Sequence, residues 1–193
     1  MQVNNEILLF FGSFNPIHAG HLIIANYITE FKNIHELWFV VTPHNPLKET
    51  GNLLKDRDRQ YMVELAIDQY PKFKVSDIEF YLPKPNYTIN TLTYLKERFP
   101  TKKFSLLIGG DNLATFHKWK NYEIILRNHK IYVYKRFGSK VREFENSNIE
   151  ILDAPQIEIS SSFIRSAIKD NKDVRFFLPE KVYKYILEMN FYK

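Results

Sequence analysis

The chain has 193 residues, of which 45% are hydrophobic and 16% aromatic, so it is long and apolar enough to fold, and we expect residues 1–193 to form a single domain. It contains no cysteine, which excludes disulfide bonds and thiolate metal sites and suits the cytoplasm, the location we expect. The formal net charge of +5 favours anionic partners without distinguishing nucleotide phosphates from nucleic acid.

The first apolar run, residues 7–11, is too short for a signal-peptide core or a membrane span and predicts a buried strand. The stretch GSFNPIHAGH at residues 12–21 follows, and a second apolar run comes directly after it. Because Pro16 cannot lie inside a helix, we expect the helix to begin just before or at Gly20. A turn of this kind, at the carboxyl end of a first parallel strand, is where open α/β sheets bind nucleotides.

Two histidines of this stretch, His18 and His21, are three residues apart and would share one side of the first helical turn. Imidazole donors at that place would add to the unpaired backbone N–H groups and to the positive end of the helix dipole, which predicts a phosphate-binding cradle. Either histidine alone could instead be a half-exposed or capping residue. The pair could also bind a metal, although the nearest acid that follows is Glu30.

Strands and helices alternate along the rest of the chain. We predict strands at residues 36–42, 74–80, 104–108, 130–134 and 149–152, helices at 56–70, 88–99 and 179–190, and short helical pieces at 111–116 and 122–127. Residues 43–55 and 82–87 contain prolines and predict loops, of which the first is long enough to be functional. This alternation predicts an α/β fold with a doubly wound, mainly parallel sheet.

Two further segments favour ligand binding. Of only six glycines, Gly12, Gly109 and Gly110 follow strand ends, which predicts places where a ligand approaches the backbone closely, with a plain tight turn as the alternative. Serines at residues 160–162 stand where another helix should begin and predict at least an N-cap. Arg165, expected in the first turn of that helix, favours a second anion-binding helix start.

The common nucleotide fingerprints are missing, because no GxGxxG follows the first strand and no GxxxxGK[ST] occurs anywhere. The densest basic stretch, residues 127–142, interleaves Tyr132 and Tyr134 as an RNA surface would, but an ordinary strand flanked by solvated lysines has the same pattern. We therefore expect neither a nucleic-acid nor a membrane partner. Phosphate binding would depend on the two predicted helix starts.

These motifs resemble those of a known family. Residues 12–21 resemble the GxFxPxHxGH signature of the nucleotidyltransferases related to the HIGH-type aminoacyl-tRNA synthetases, and ISSSFIR at 159–165 resembles their ISSTxIR, with Ser162 in the place of threonine. PHNPLK at 43–48, NYTINTL at 86–92, and IGGDNL at 108–113 followed by Trp119 are similar to segments of the nicotinate branch. Over nearly its whole length the chain resembles the bacterial nicotinate-nucleotide adenylyltransferase family, which implies a Rossmann-like nucleotidyltransferase fold.

The resemblance implies adenylyl transfer from ATP, with Mg²⁺, to nicotinate mononucleotide in NAD biosynthesis, by in-line attack and without a covalent enzyme intermediate. The residues implied for ATP are Gly12, Ser13, Phe14, His18, His21, Gly110, Asp111, Ser161, Ser162 and Arg165. Those implied for the nicotinate nucleotide are Asn45, Lys48, Thr88, Asp111, Trp119 and Arg136. The catalytic residues implied are His18, His21, Lys48 and Arg165.

Several alternatives stay open. Lys120 follows Trp119 where many members have tyrosine, which puts recognition of the nicotinate ring in question if the side chain rather than the backbone N–H contacts the carboxylate. Trp119 could stack on the pyridine ring or be a half-buried core residue. Pantetheine-phosphate adenylyltransferase shares both end motifs, and a non-catalytic RNA- or nucleotide-binding protein is the other alternative. The sequence leaves the oligomeric state open, a homo-oligomer included.

Overall fold

A computed structural model describes residues 5–32, 34–44, 53–135 and 148–193. The strands are β1 (Glu6–Gly12), β2 (Glu36–Val41), β3 (Phe73–Ser76), β4 (Lys103–Gly109), β5 (Ile131–Tyr134) and β6 (Ile149–Leu152). They form one six-stranded sheet in the order β3-β2-β1-β4-β5-β6, and all neighbouring strands are parallel. The predicted α/β fold with a doubly wound parallel sheet is confirmed.

Seven α-helices in the described ranges connect or flank these strands. They are α1 (Ala19–Phe31), α2 (Asp56–Ile67), α3 (Thr88–Arg98), α4 (Gly110–Ala114), α5 (Tyr122–Asn128), α6 (Ser161–Lys169) and α7 (Glu180–Glu188). Single 3₁₀ turns lie at Ile78–Tyr81, Phe116–Lys118 and Arg175–Phe177. None of the helices in these ranges has the length and apolar character that a membrane crossing requires.

The third strand is shorter than the sequence pattern predicts. It ends at Ser76, whose hydroxyl accepts a hydrogen bond from the Ile78 N–H at 3.4 Å. The Asp77 carbonyl then accepts from the Phe80 N–H at 2.9 Å, which closes a 3₁₀ turn. The predicted strand 74–80 is wrong after Ser76, because these local hydrogen bonds compete with the ladder of the sheet.

The core consists of two layers on opposite faces of the sheet. Leu8 and Phe10 of β1 pack into one cluster with α1, α2, α6 and α7, whereas Ile7 and Leu9 pack into another with α3 and α5. Alternate side chains of a strand point to opposite faces, so β1 is buried on both sides, as a central parallel strand must be.

The strand order places the candidate site. Connections run from β1 outwards to β2 and β3 on one side and return to β4 on the other, so the topology switches direction between β1 and β4. The crevice outside the carboxyl ends of the strands at such a switch point is where open α/β sheets bind ligands. Gly12 and Gly109 end these two strands.

Candidate active site

The loop after β1 folds back onto the end of its own strand. Phe14 lies in the left-handed backbone region, with φ of 45°, and its buried ring packs edge-on against Phe10 and Phe39 at centroid distances of 5.7 and 5.5 Å. A Cβ on Gly12 would lie 2.7 Å from the Phe14 ring, so only glycine fits there. Because the Phe14 ring is in the core, only its main chain can reach a ligand.

The two histidines lie together at the start of α1. His18 is the N-cap residue and is buried, and its ring centroid is 3.8 Å from that of His21, with an angle of 30° between the ring planes. The His18 N–H donates to His21 Nδ1 at 3.3 Å, so a neutral His21 carries its proton on Nε2. A Cβ on Gly20 would lie 3.1 Å from His18 Nδ1, a tight contact that favours glycine between the two histidines.

The backbone of this turn suits an anion. The helix begins at Ala19, as the position of Pro16 predicts, and its first turn reads AGHL, without an acid. The first N–H groups of a helix have no intrahelical partner and carry the positive end of its dipole. The helix start therefore offers donors to a phosphate group at the switch point of the sheet.

The serine run begins α6 beside this loop. Ser160 is the N-cap, and its hydroxyl accepts from the Phe163 N–H at 3.1 Å, which confirms the predicted cap. Ser161 donates to the Pro16 carbonyl at 2.9 Å, and Ser162 Oγ lies 3.2 Å from Ser160 Oγ. The second predicted helix start thus lies next to the first.

Arg165 ties the same two segments together. Its Nη1 donates to the Asn15 carbonyl at 2.8 Å. Because Ser160 takes the cap position, Arg165 is the fifth residue of α6 and begins its second turn, so the prediction that it lies in the first turn is wrong by about one residue. Its long side chain nevertheless reaches the loop after β1, through the hydrogen bond to the Asn15 carbonyl.

A residue that was not singled out from the sequence, Arg59, stabilises the loop after β1 through hydrogen bonds to backbone carbonyls. Its side chain is fully buried, and its guanidinium donates to the carbonyls of Ser13, Thr42 and Leu54. It also donates to the Asp56 carboxylate at 2.6 Å. Burial lowers the pKa of Arg59 and the bond with Asp56 opposes this, but an arginine remains protonated even so. One side chain therefore joins the loop after β1, the end of β2 and the segment leading into α2.

A local signal for Arg59 exists in the sequence. It stands three and four residues before Met62 and Val63, which are both buried, and so occupies the apolar stripe of α2. A charged residue on such a stripe must find partners for its donors, because an unpaired buried charge is strongly destabilising.

Little space remains beside Gly109, at the second strand end where a glycine predicts close approach of a ligand. Gly109 ends β4, and a Cβ on it would lie 2.3 Å from an Asp111 carboxylate oxygen. Gly110 is buried at the start of α4, whereas Asp111 is exposed. The Asp111 side chain therefore bends back over the tip of the strand.

Lys120 contacts the residue that precedes Thr88 at the start of α3. Thr88 is the first residue of this helix, and in the described structure the preceding Tyr87 makes no side-chain cap. Trp119 packs on Phe116 with ring centroids 5.2 Å apart, and its buried Nε1 has no hydrogen-bond partner among the described residues. Lys120 Nζ lies 4.9 Å from the centre of the Tyr87 ring, a cation–π contact that connects the Trp119 segment to the helix start.

A buried carboxyl group supports this region. Asn86 and His44 exchange two hydrogen bonds, from the Asn86 N–H to the His44 carbonyl at 3.1 Å and from the His44 N–H to Asn86 Oδ1 at 3.3 Å. Thr91 of α3 donates to Glu79 Oε1 at 2.7 Å, and Asn86 Nδ2 donates to the Glu79 carbonyl. Burial raises the pKa of the Glu79 carboxyl group. No spacing pattern in the sequence points to this cluster.

The remaining predicted residues are Asn45, Lys48 and Arg136, and they lie outside the described residues. Within the described ranges, no group of three or more His, Asp or Glu residues could hold a metal ion. The part of the chain that is described thus brings the two histidines, the serines and Arg165 to one side of the switch point. The contact between Lys120 and Tyr87 brings the Trp119 segment to the start of α3, where Thr88 lies.

Known proteins resemble this chain in sequence over most of its length. Residues 9–167 match the model of the cytidylyltransferase-like family. The chain is 53% identical over 191 residues to a Flavobacterium johnsoniae protein named "Probable nicotinate-nucleotide adenylyltransferase", covering 97% of this chain and 99% of that protein. A Bacteroides fragilis protein of the same name is 49% identical over 181 residues, covering 93% and 90% of the two chains.

Solved structures share the fold. Plasmodium falciparum nicotinic acid mononucleotide adenylyltransferase complexed with NaAD superposes with a TM-score of 0.81 at 22% identity, covering 97% of both chains. The same enzyme complexed with APC gives a TM-score of 0.79 at 21% identity, again over 97% of both chains. At this identity the likeness shows a common fold.

Proposed function

Since the chain belongs to the cytidylyltransferase-like family, and within it to the nicotinate-nucleotide adenylyltransferases, we propose that it transfers the adenylyl group of ATP to nicotinate mononucleotide. The products are nicotinate adenine dinucleotide and pyrophosphate. The observation that carries the proposal for this chain is the pairing of two helix starts, α1 and α6, through Ser161–Pro16 and Arg165–Asn15 at the switch point of the sheet.

The ATP side of the site would be built from this pair of helix starts. The backbone N–H groups of residues 12–14 and of the first turns of α1 and α6 would bind phosphate oxygens, together with His18, His21, Ser161 and Ser162. Gly110 and Asp111, at the neighbouring strand tip, would contact the nucleoside part. Magnesium would enter as part of the substrate, bound to the triphosphate, because the described residues offer no carboxylate cluster to hold it.

The chemistry needs no protein nucleophile. The phosphate oxygen of nicotinate mononucleotide forms a bond to the α-phosphorus of ATP as the bond to the pyrophosphate oxygen breaks on the opposite side. The reactants are both anions, so the protein must hold them in line against their repulsion and stabilise the charge that grows on the leaving group. His21 would donate a hydrogen bond from its Nε2–H to that charge. His18, Lys48 and Arg165 would also stabilise it.

The nicotinate side would use the start of α3. Its first N–H groups, at Thr88 and the next residue, would bind the ring carboxylate, and Trp119 would stack on the pyridine ring. Asn45 and Arg136 would complete this side. Nicotinamide presents an amide that donates hydrogen bonds of its own, and burying donor against donor costs about 1 to 3 kcal/mol. The acid should therefore be preferred by about tenfold or more.

The experiment that tests the function is a pyrophosphate-release assay with Mg²⁺–ATP. Nicotinate mononucleotide, nicotinamide mononucleotide and phosphopantetheine are offered in parallel as acceptors. We expect the highest kcat/KM with nicotinate mononucleotide. A best rate with phosphopantetheine would instead indicate pantetheine-phosphate adenylyltransferase activity, and ATP binding without release for any acceptor would indicate a non-catalytic nucleotide-binding protein. We also expect the enzyme to work in the cytoplasm, because its cysteine-free composition suits a reducing compartment. We expect residues 1–193 to act as one domain.

A further inference from the structure

The residues that follow α7 return to the loop after β1. Two of them, Asn190 and Tyr192, lie in the left-handed backbone region, with φ of 52° and 66°. Residues other than glycine adopt this conformation rarely, and it persists where surrounding contacts hold it in place. Tyr192 has such a contact, and the partner belongs to the candidate active site.

The partner is Asn15, in the middle of GSFNPIHAGH. The Tyr192 hydroxyl donates to Asn15 Oδ1 at 2.9 Å, across 177 positions of sequence. Asn15 is only 3% exposed, and its Oδ1 also accepts from the Leu54 N–H at 3.3 Å. Its backbone carbonyl accepts from Arg165. The tail, α6 and the segment that leads into α2 therefore all converge on one buried asparagine of the loop.

The Tyr192 phenol is suited to be a permanent donor. Burial raises its pKa, although the positive charges of Arg165 and Arg59 act in the opposite direction. The hydroxyl therefore stays protonated at neutral pH, and the hydrogen bond to Asn15 is always available.

We propose that Tyr192 is a positioning residue for ATP, which acts through Asn15 to hold the loop in the geometry that binds the triphosphate. The assignment of ATP to this loop rests on the proposed function. Tyr192 itself lies beyond the residues that match the family model, 9–167, so the tail adds a constraint on Asn15 that the matched region does not contain.

A second tyrosine supplies the matched control. Tyr185 of α7 donates through its hydroxyl to Asp58 Oδ1 of α2 at 3.3 Å. That bond joins α7 to the body of the protein but does not touch the loop. Tyr192→Phe and Tyr185→Phe therefore each remove one hydroxyl from the C-terminal part of the chain, and only the first removes a donor from Asn15.

The experiment measures ATP binding and turnover for the full chain and both variants. Mg²⁺–ATP is titrated calorimetrically without an acceptor, and KM is measured for ATP and for nicotinate mononucleotide. We expect Tyr192→Phe to raise the Kd and KM for ATP about fivefold, the factor that corresponds to the loss of one typical hydrogen bond. The KM for nicotinate mononucleotide should not change, and Tyr185→Phe should change neither constant.

Three outcomes would overturn the proposal. They are unchanged ATP affinity in Tyr192→Phe with a lowered melting temperature, an equal loss for both substrates, or an equal loss of ATP affinity in Tyr185→Phe. Each would make Tyr192 a residue of general tail packing. Because the titration needs no turnover, a protein that binds ATP but does not adenylylate nicotinate mononucleotide would contradict the proposed function and still test Tyr192.

Discussion

The residues assigned to the two sides of the candidate site differ in how firmly the chain holds them. On the ATP side, the carbonyls of Ser13, Asn15 and Pro16 each accept a hydrogen bond from a distant side chain. On the nicotinate side, the exposed Lys120 contacts Tyr87 through a cation–π interaction, and the Trp119 Nε1 has no partner in the described structure. A loop whose carbonyls are held in this way would present its N–H groups to the proposed triphosphate without reorganisation.

The contrast suggests that the two sides have different roles, one in binding the triphosphate and the other in selecting the acceptor. The triphosphate is the same in every reaction of this kind, so a rigid loop that is set in advance serves it well. The acceptor differs between enzymes, and a few side chains around a helix start are enough to choose it. Substitutions on the ATP side should therefore be more costly than those on the nicotinate side.

The largest effect is expected from Arg59→Met, which removes the guanidinium from behind the loop. Three carbonyls, of which that of Thr42 is buried, lose their donor, so the free energy of unfolding should fall by about 3 to 5 kcal/mol. Urea denaturation measures this change. Arg57→Met is the control, because Arg57 is exposed and its ion pair with Asp77 should contribute less than about 1 kcal/mol. Equal losses in the two variants would mean that Arg59 does not brace the loop.

His21→Ala should lower kcat strongly with little loss of stability. One missing donor to the charge of the transition state costs about 2.7 to 4 kcal/mol, or roughly a hundredfold to a thousandfold in rate. The pyrophosphate-release assay measures this loss, with the exposed His35→Ala as the control. Near wild-type turnover would remove His21 from the mechanism and weaken the case for a preset ATP side.

Trp119→Ala tests the nicotinate side. Stacking of an aromatic ring on a base contributes about 1 to 3 kcal/mol, so the KM for nicotinate mononucleotide should rise about tenfold. The KM for ATP should not change, since Trp119 lies with the start of α3 and not with the loop. A variant impaired only toward ATP would show that the two sides have been assigned the wrong way round.

Lys120→Met should have the smallest effect. The exposed ammonium group near the start of α3 would attract the nicotinate carboxylate, and exposed charge pairs contribute about 0.2 to 1 kcal/mol. The preference for nicotinate over nicotinamide mononucleotide should fall up to about fivefold at low salt and less at high salt. Lys118→Met, on the preceding turn, should leave it unchanged. An unchanged preference in Lys120→Met would leave the choice to backbone N–H groups alone.

Local sequence patterns predicted the sheet and the histidine pair because both depend on short spacings. Alternating burial along β1 follows from its apolar run, and the three-residue spacing of His18 and His21 brings their rings together on one turn. The N-cap at Ser160 follows from residue type alone. These features require no knowledge of which distant segments meet.

The hydrogen bonds that hold the loop after β1 could not be predicted from local sequence patterns. Arg59 reaches Ser13 across 46 positions and Tyr192 reaches Asn15 across 177, and no periodicity encodes such contacts. The turn that ends β3 was missed because a serine hydroxyl competes with the ladder. Arg165 is predicted in the first turn and lies just past it, because any of the serines at 160–162 could have been the cap.

The most direct test of these two roles is a crystal structure with nicotinate adenine dinucleotide bound. We expect residues 12–21 to superpose on the conformation described here, with the phosphates at the starts of α1 and α6. The nicotinate carboxylate should lie within hydrogen-bond distance of the first N–H groups of α3, and the pyridine ring should stack on Trp119. A loop rebuilt around the phosphates, or a pyridine ring bound away from Trp119, would contradict the account.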